Sequence, residues 1–197
     1  MREYVSGDDP RLINWKVSAA LNKLMVREQI GEEQQGVGIV LDSKRYSEKP
    51  EDCLPAENKV LEAIIALNLF FSERGIPVST CFETEGLQEI DADRDHGFNE
   101  VYEKLSSFVF YRDHKSEKLC ADILSSGSVM SKVVAFFIVQ KWDASFSFAA
   151  QQLRKRGTPV FIYAITRDPD ACVSEAPSSD KADIVFVDPD QDLKEVL

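Results

Sequence analysis

The residues of this chain that could bind metal ions are carboxylates in segments predicted to be loops. Asp91, Asp93 and Asp95 alternate as acids do at the start of a calcium-binding loop. A complete loop of that kind also needs glycine at its sixth position and glutamate at its twelfth. Those two positions hold His96 and Tyr102. The pattern therefore predicts an exposed acidic loop rather than a calcium site.

Two further acids follow apolar runs that predict buried strands. Asp42 comes directly after the run at 37–41, and Asp143 comes shortly after Val139. In a parallel sheet the carboxyl ends of the strands share one edge, so we expect these loops and the loop after Ile165 to lie together. Carboxylates converging on Mg²⁺ or Mn²⁺ would support hydrolysis or phosphoryl transfer. A metal-dependent hydrolase or phosphotransferase that uses Asp42, Asp143 and the acids at 91–95 is therefore one alternative.

Composition excludes several other classes of function. The 197 residues include 23 Lys and Arg against 34 Asp and Glu, which gives a net charge of −11. That balance argues against binding nucleic acid or anionic lipid through basic residues. The two histidines and four cysteines lack the spacing of a zinc site or a disulfide framework. With no apolar run of the ~18 residues that span a bilayer, the sequence predicts a soluble intracellular chain.

Strand and helix patterns alternate along most of the chain. Strands are predicted at 37–41, 77–82, 87–90, 133–139, 158–165 and 182–187, and helices at 55–74, 97–109, 116–124, 144–156 and 190–197. This order predicts an α/β fold with a mainly parallel sheet, an antiparallel edge strand and helices on both faces. Apolar residues cover most of the circumference of helix 55–74, so we expect it to be largely buried. Residues 167–181 are expected to form a polar connection.

A dense group of charged and aromatic residues opens the chain. Its members are Arg2, Asp8, Asp9, Arg11, Trp15, Lys16 and Arg27. In one interpretation Trp15 fills a pocket while the charges pair with one another. In the other, the segment presents Arg and Trp to a partner, because these types dominate binding hot spots. Exposure of Trp15 would distinguish the two.

The same segment resembles the opening motif of a bacterial family. That motif reads roughly R-x-Y-x-x-G-D-D-x-R-x-I-D-W-K-x-x-A-R, followed by L-x-V-R-E, and the match is dense over residues 1–30. The family is domain of unknown function fifty-eight, whose core is a von Willebrand factor A-like domain. The resemblance implies a Rossmann-like, three-layer A-type sandwich at 36–197, with residues 1–35 as a family-specific segment packed on it.

The resemblance also implies a setting for the protein. Family members often carry N-terminal membrane helices and lie beside genes for MoxR-type AAA+ ATPases, and no family-wide reaction is established. We therefore expect a cytoplasmic fragment of a larger protein at the inner face of the membrane. A MoxR-type ATPase is the expected partner.

A-domains that bind ligands through a metal place D-x-S-x-S after the first strand. Asp42 fits the first position, but Lys44 and Tyr46 occupy the positions of the two hydroxyls. Two unit positive charges 4 Å apart repel by about 4 kcal/mol at an effective dielectric constant of 20. The acid expected after Val139 is replaced by Gln140. The sequence thus predicts a degenerate metal site, with Asp42 instead accepting hydrogen bonds from loop amides.

These observations favour a non-enzymatic protein-interaction module that uses no cofactor. A rearranged metal site is a further alternative, in which Ser43 and Ser47 supply the hydroxyls and Asp143 folds back towards Asp42. The chain would then be a metal-dependent ligand binder.

Overall fold

The computed structural model describes residues 2–4, 17–18, 21, 23–26, 36–92, 98–126, 129–174, 177 and 182–193. Contacts between Cα atoms divide the chain into Met1–Glu33 and Gln34–Leu197. In the first unit, β1 (Arg2–Glu3) pairs antiparallel with β2 (Met25–Val26). The N-terminal candidates other than Arg2 lie outside the described residues, namely Asp8, Asp9, Arg11, Trp15, Lys16 and Arg27.

The second unit follows the predicted order of strands and helices. Its elements are β3 (Val37–Leu41), α1 (Pro50–Ser72), β4 (Val78–Glu83), β5 (Leu87–Ala92), α2 (Phe98–Ser106), α3 (Ser116–Ser126), β6 (Val134–Val139), α4 (Ala144–Lys155), β7 (Val160–Ile165), α5 (Pro169–Cys172) and β8 (Ile184–Val187). The second half of the helix predicted at 190–197 lies outside the described residues. None of the helices in the described ranges combines the length and the apolar character that a membrane crossing requires.

One six-stranded sheet runs through this unit in the order β5-β4-β3-β6-β7-β8. All pairs are parallel except β4 with β5, which confirms the predicted parallel sheet with an antiparallel edge strand. The winding reverses between β3 and β6, where Leu41 lies opposite Ile138. The loops that follow these two strands therefore start side by side.

Helices cover both faces of the sheet. Apolar side chains of β3 alternate between the faces, with Ile39 on one side and Val40 on the other. The Ile39 face packs against α1 and α2, and the Val40 face packs against α3 and α4. Burial on both faces explains why β3 is an uninterrupted apolar run, which is the pattern of a central parallel strand.

Helix α1 begins earlier than predicted, and more of its side chains are exposed than predicted. It begins at Pro50, five residues before the predicted start, and contains Pro55 within its early turns. Proline suits the first helical position because its backbone angle is already helical and it lacks the N–H that would be unpaired there. The expectation of a largely buried helix is wrong, since Leu69 is 40% and Phe70 is 47% exposed. The sheet covers only one side of α1.

The connection after β7 also contains an element that the sequence analysis missed. Residues 167–181 were expected to form a polar connection, and α5 forms within them. The side chain of Asp168 accepts a hydrogen bond of 3.1 Å from the N–H of Ala171. An N-terminal aspartate followed by Pro169 is a strong helix start, and this local signal outweighs the polar composition.

Candidate functional site

Asp42 lies at the point where the sheet reverses its winding. It follows β3 directly, is only 3% exposed, and donates its N–H to the carbonyl of Ile138 at 3.1 Å. We call the loops that follow β3, β6 and β7 the rim, comprising residues 42–49, 140–143 and 166–168. Ligands of parallel α/β sheets bind at this kind of position, so the rim is the candidate functional site.

The carboxylate of Asp42 accepts three hydrogen bonds from the chain itself. Oδ1 accepts from the N–H of Lys44 at 3.2 Å. Oδ2 accepts from the hydroxyl of Tyr46 at 2.9 Å and from the N–H of Gln140 at 3.4 Å. Burial raises the pKa of Asp42 to about 6, although these donors favour the charged form and partly oppose that rise. The predicted role of Asp42 as an acceptor of loop amides is confirmed.

Tyr46 and Lys44 pack together beside this carboxylate. Tyr46 as a whole is 38% exposed, but its hydroxyl lies against buried Asp42. Burial and the nearby Asp42 charge raise the pKa of Tyr46, so the hydroxyl keeps its proton and remains a donor. The ammonium of Lys44 lies 5.4 Å from the centre of the Tyr46 ring, within the range of a cation–π contact.

Gln140 joins two loops of the rim. Its side-chain amide donates to the carbonyl of Lys44 at 3.2 Å, while its backbone N–H donates to Asp42. An acid at this position could not donate the side-chain hydrogen bond when ionised. The glutamine therefore ties the loop after β3 to the loop after β6.

The residues that the rearranged metal site would use are Ser43, Ser47 and Asp143. Each of them makes hydrogen bonds within the chain. Ser43 Oγ donates to the carbonyl of Glu83 at 2.9 Å, and Ser47 Oγ donates to Asp52 at 3.3 Å. Asp143 caps α4, where its Oδ1 accepts from the N–H of Ser145 at 2.8 Å. Within the described ranges, no three His, Cys, Asp or Glu side chains form a group that could hold a metal ion.

Of the acids at 91–95, the structure describes Asp91, which lies two strands away from β3 in the sheet. Asp91 belongs to the edge strand β5, and its carboxylate accepts a hydrogen bond from the hydroxyl of Ser79 on β4. Asp93 and Asp95 lie outside the described residues. Among the described acids of the metal-dependent enzyme alternative, Asp91 therefore lies on a different strand from those that Asp42 and Asp143 follow.

An ion pair fixes the loop after β3 to α1. The guanidinium of Arg45 makes two hydrogen bonds to Glu57, of 2.7 and 2.8 Å. Glu57 is 3% exposed, so this pair is desolvated on its acidic side. The backbone of the same loop pairs with Tyr111, whose N–H donates to Ser43 and whose carbonyl accepts from Arg45.

A second polar cluster was not identified from the sequence. Glu83 ends β4 and is 4% exposed, and it lies beside His114 and Lys118. Nδ1 of His114 is 3.2 Å from Ser43 Oγ, so the cluster adjoins the loop after β3. The participants are far apart in sequence, and the only local signal was an acid at the end of a strand.

A cleft of about 450 Å³ opens beside Tyr46 and Gln140. Its lining combines both charges with apolar groups and comes from Tyr46, Asp52, Ala56, Gln140, Lys141, Ile165, Thr166, Arg167, Asp168, Ala171, Cys172 and Pro189. The guanidinium of Arg167 pairs with Asp190 at 2.8 Å, with both side chains exposed. All three rim loops contribute to this cleft, as the strand order predicted.

Comparison with solved structures supports the fold. Two structures of proximal thread matrix protein 1 from the mussel byssus are similar, with TM-scores of 0.54 and 0.53 and 10% identity. In both cases the similarity covers 78% of this chain and 43% of that protein, so the chain spans less than half of its length. At this level of identity the likeness concerns the fold alone.

Sequence comparison identifies the N-terminal part of the chain. Residues 1–87 match the model of a family described as "Protein of unknown function DUF58". No curated protein matches the sequence. The matched residues contain the N-terminal motif, β3, the Asp42 loop and α1. The resemblance of the N-terminal motif to domain of unknown function fifty-eight is confirmed.

Proposed function

We propose, from the match of residues 1–87 to the DUF58 family model, that the chain is a protein-interaction module. Its rim binds a protein partner without a divalent cation and without catalysing a reaction. The observation that carries this proposal is the environment of Asp42. Its two carboxylate oxygens accept hydrogen bonds from Tyr46, Lys44 and Gln140, so the chain supplies the donors where a cation would otherwise neutralise the charge.

The proposal includes a von Willebrand factor A type for the second unit. The sheet order, the antiparallel edge strand and the helices on both faces support that type. In metal-binding members of that type, serine hydroxyls follow the first aspartate. Here the corresponding positions hold Lys44 and Tyr46, which contact each other and the Asp42 carboxylate instead.

The expected partner is a MoxR-type AAA+ ATPase, which the family resemblance implies. The protein would act at the cytoplasmic face of the membrane as part of a larger polypeptide. The cleft of about 450 Å³ beside Gln140 offers basic, acidic and apolar groups to such a surface. Mixed chemistry of this kind is typical of non-obligate protein interfaces.

A metal titration tests whether the rim works without a divalent cation. Addition of millimolar Mg²⁺ or Mn²⁺ is expected to leave the melting temperature of the chain unchanged. Occupancy of a real site at 100 times its dissociation constant would stabilise the fold by about 2.7 kcal/mol. A reproducible rise in melting temperature that Asp42→Ala abolishes would contradict metal-free recognition.

A binding measurement tests whether the rim binds the proposed ATPase partner. The purified chain is titrated with the MoxR-type ATPase of the same organism, and the variant Arg167→Ala, in the rim, is compared with Lys155→Ala. Lys155 lies at the opposite end of the sheet, near the end of α4. We expect Arg167→Ala to weaken binding by about tenfold, as loss of ~1.4 kcal/mol would, and Lys155→Ala to leave it unchanged. Equal effects of the two variants, or no binding, would refute the proposed partner surface.

A further inference from the structure

The charge of the rim differs from that of the rest of the chain. The rim, residues 42–49, 140–143 and 166–168, holds five basic and four acidic residues, whereas the whole chain has a net charge of −11. The remainder of the chain is therefore strongly acidic. An anionic group of a partner would be repelled by that remainder and would be guided towards the rim.

The acids of the rim are already engaged by the chain itself. Each of the four carboxylates accepts a hydrogen bond or an ion pair from a backbone N–H, a hydroxyl or a guanidinium of the chain. They belong to Asp42, Glu48, Asp143 and Asp168. Ionised carboxylates only accept hydrogen bonds, so these four have donors without any contribution from a partner.

The ammonium of Lys44 lacks a carboxylate partner. It lies 5.4 Å from the centre of the Tyr46 ring, and it makes no ion pair in the described part of the chain. Lys44 is half-buried, so its charge is partly shielded from water. Lys49, on the same loop, is exposed and also makes no ion pair with the described residues. The charge that the loop after β3 leaves uncompensated is therefore positive.

The backbone of Lys44 is fixed by three neighbours. Its N–H donates to Asp42 at 3.2 Å, and its carbonyl accepts from the side-chain amide of Gln140 at 3.2 Å. Lys44 also forms a parallel β-bridge with Tyr111. Tyr46, over which the ammonium lies, is held by its own hydrogen bond to Asp42. A cation that is positioned before binding loses less conformational freedom when a partner binds.

We propose that the rim recognises an acidic side chain of the protein partner, an aspartate or a glutamate, whose carboxylate pairs with the ammonium of Lys44. An ammonium has three N–H donors and no acceptor, so a carboxylate matches both its charge and its hydrogen bonds. Lys49 adds to the attraction. Neighbouring groups of the same partner segment lie in the cleft beside Tyr46 and Gln140. This inference rests on the proposed protein-binding function and names the side chain that the partner presents.

Titration of the chain with N-acetyl-glutamate N-methylamide tests the proposal. Binding is followed through the backbone amide signals of Lys44 and Tyr46 by two-dimensional NMR at constant ionic strength. We expect a saturable shift of these signals. N-acetyl-glutamine N-methylamide, the neutral isostere, should cause none. Equal shifts by the two compounds, or no shift with the glutamate compound, would overturn the proposal.

Variants at position 44 assign the binding to the ammonium. Lys44→Gln should weaken binding of the glutamate compound by about tenfold, which corresponds to ~1.4 kcal/mol, and Lys44→Arg, which keeps the charge, should retain it. Lys155→Gln, at an exposed base near the end of α4 and outside the rim, is the matched control. If Lys44→Gln does not fold, Lys44→Met, which keeps an unbranched apolar stem, replaces it. Unchanged binding in the folded neutral variant, or an equal loss in Lys155→Gln, would refute the assignment.

Inorganic phosphate provides a further arm, because an ammonium can also pair with a phosphate group. Phosphate that competes with the glutamate compound and exceeds it in affinity would overturn the choice of a carboxylate. The outcomes also separate this inference from the proposed function. Binding of the ATPase with no binding of the glutamate compound would refute the role of Lys44 alone. Binding of the glutamate compound with no ATPase binding would refute the proposed partner alone.

Discussion

The hydroxyl of Tyr46 donates a hydrogen bond of 2.9 Å to Oδ2 of Asp42, at the carboxyl end of β3. The donor and acceptor are four residues apart, so the loop folds back on the strand that it follows. This contact places a neutral donor on a carboxylate that is 3% exposed. The loop thus stabilises a buried charge with its own side chain.

Removal of that hydroxyl should destabilise the protein. Tyr46→Phe keeps the ring beside Lys44 but removes the donor, so we expect a loss of about 1–3 kcal/mol in the free energy of unfolding at pH 7.5. The pKa of Asp42 should rise further above its value of about 6, since the hydroxyl favours the charged form. Urea denaturation measures the loss, with Tyr102→Phe, at a residue that is 52% exposed, as the control. An unchanged midpoint would show that the hydrogen bond contributes nothing.

The raised pKa of Asp42 predicts how its contribution to stability varies with pH. The folded protein holds this proton up to about pH 6, whereas the ordinary pKa is 3.8, so protonation favours the folded state. That contribution is complete below about pH 4 and is lost as the pH rises through 6, by up to about 3 kcal/mol. Asp42→Asn cannot ionise.

The stability difference between Asp42→Asn and the wild type should therefore move in favour of the variant between pH 4 and pH 7. Urea denaturation across this range measures it, and Asp190→Asn, which replaces an exposed carboxylate, is the matched control. A difference that stays constant with pH would contradict the raised pKa. Direct NMR titration of the Asp42 carboxyl carbon would locate the midpoint independently.

We predict that β3 needs a glycine at position 38 because a larger side chain would clash with a packed neighbour. A Cβ atom at Gly38 would lie 2.8 Å from Cγ1 of Val129, which is fully buried. Gly38→Ala should therefore cost about 1–3 kcal/mol of stability, because β3 and Val129 would have to separate. Gly86→Ala is the control, since nothing lies within 4 Å of the corresponding position. Thermal unfolding of both variants should show a lower melting temperature for Gly38→Ala alone.

The parts of the fold that sequence analysis predicted carry local signals. The continuous apolar run of β3 indicates a strand buried on both faces, and the turn at 84–86 indicates the edge hairpin. The start of helix α1 was misplaced because Pro50 and Pro55 both suit the first turn of a helix, and the sequence does not distinguish them. Its exposed side was missed because apolar composition alone does not say which faces have a neighbour.

The candidate site was less predictable than the sheet. The order of strands correctly brought the loops of Asp42 and Gln140 together, although the two residues are 98 positions apart. In the sequence, Tyr46 was interpreted only as a replacement for a serine hydroxyl of a metal site, whereas its own hydroxyl donates to the Asp42 carboxylate. The contact between His114 and Ser43 depends on how the segment at 107–115 packs, which no local pattern encodes.

The ion pair between Arg45 and Glu57 should be the main anchor of the loop after β3. Arg45→Ala would leave the carboxylate of Glu57, which is 3% exposed, without its two guanidinium hydrogen bonds. Because the Arg45 side chain is itself 33% exposed, we expect a loss of about 1–3 kcal/mol, as for a buried group left without its hydrogen bonds. Arg112→Ala breaks the exposed pair with Glu48 and should cost less than about 1 kcal/mol.

The double variant Arg45→Ala/Glu57→Gln should recover part of the stability lost in Arg45→Ala, because the uncompensated charge of Glu57 is then gone. Urea denaturation of the three variants checks this order, and equal losses for Arg45→Ala and Arg112→Ala would show that burial of Glu57 does not govern the stability of the loop.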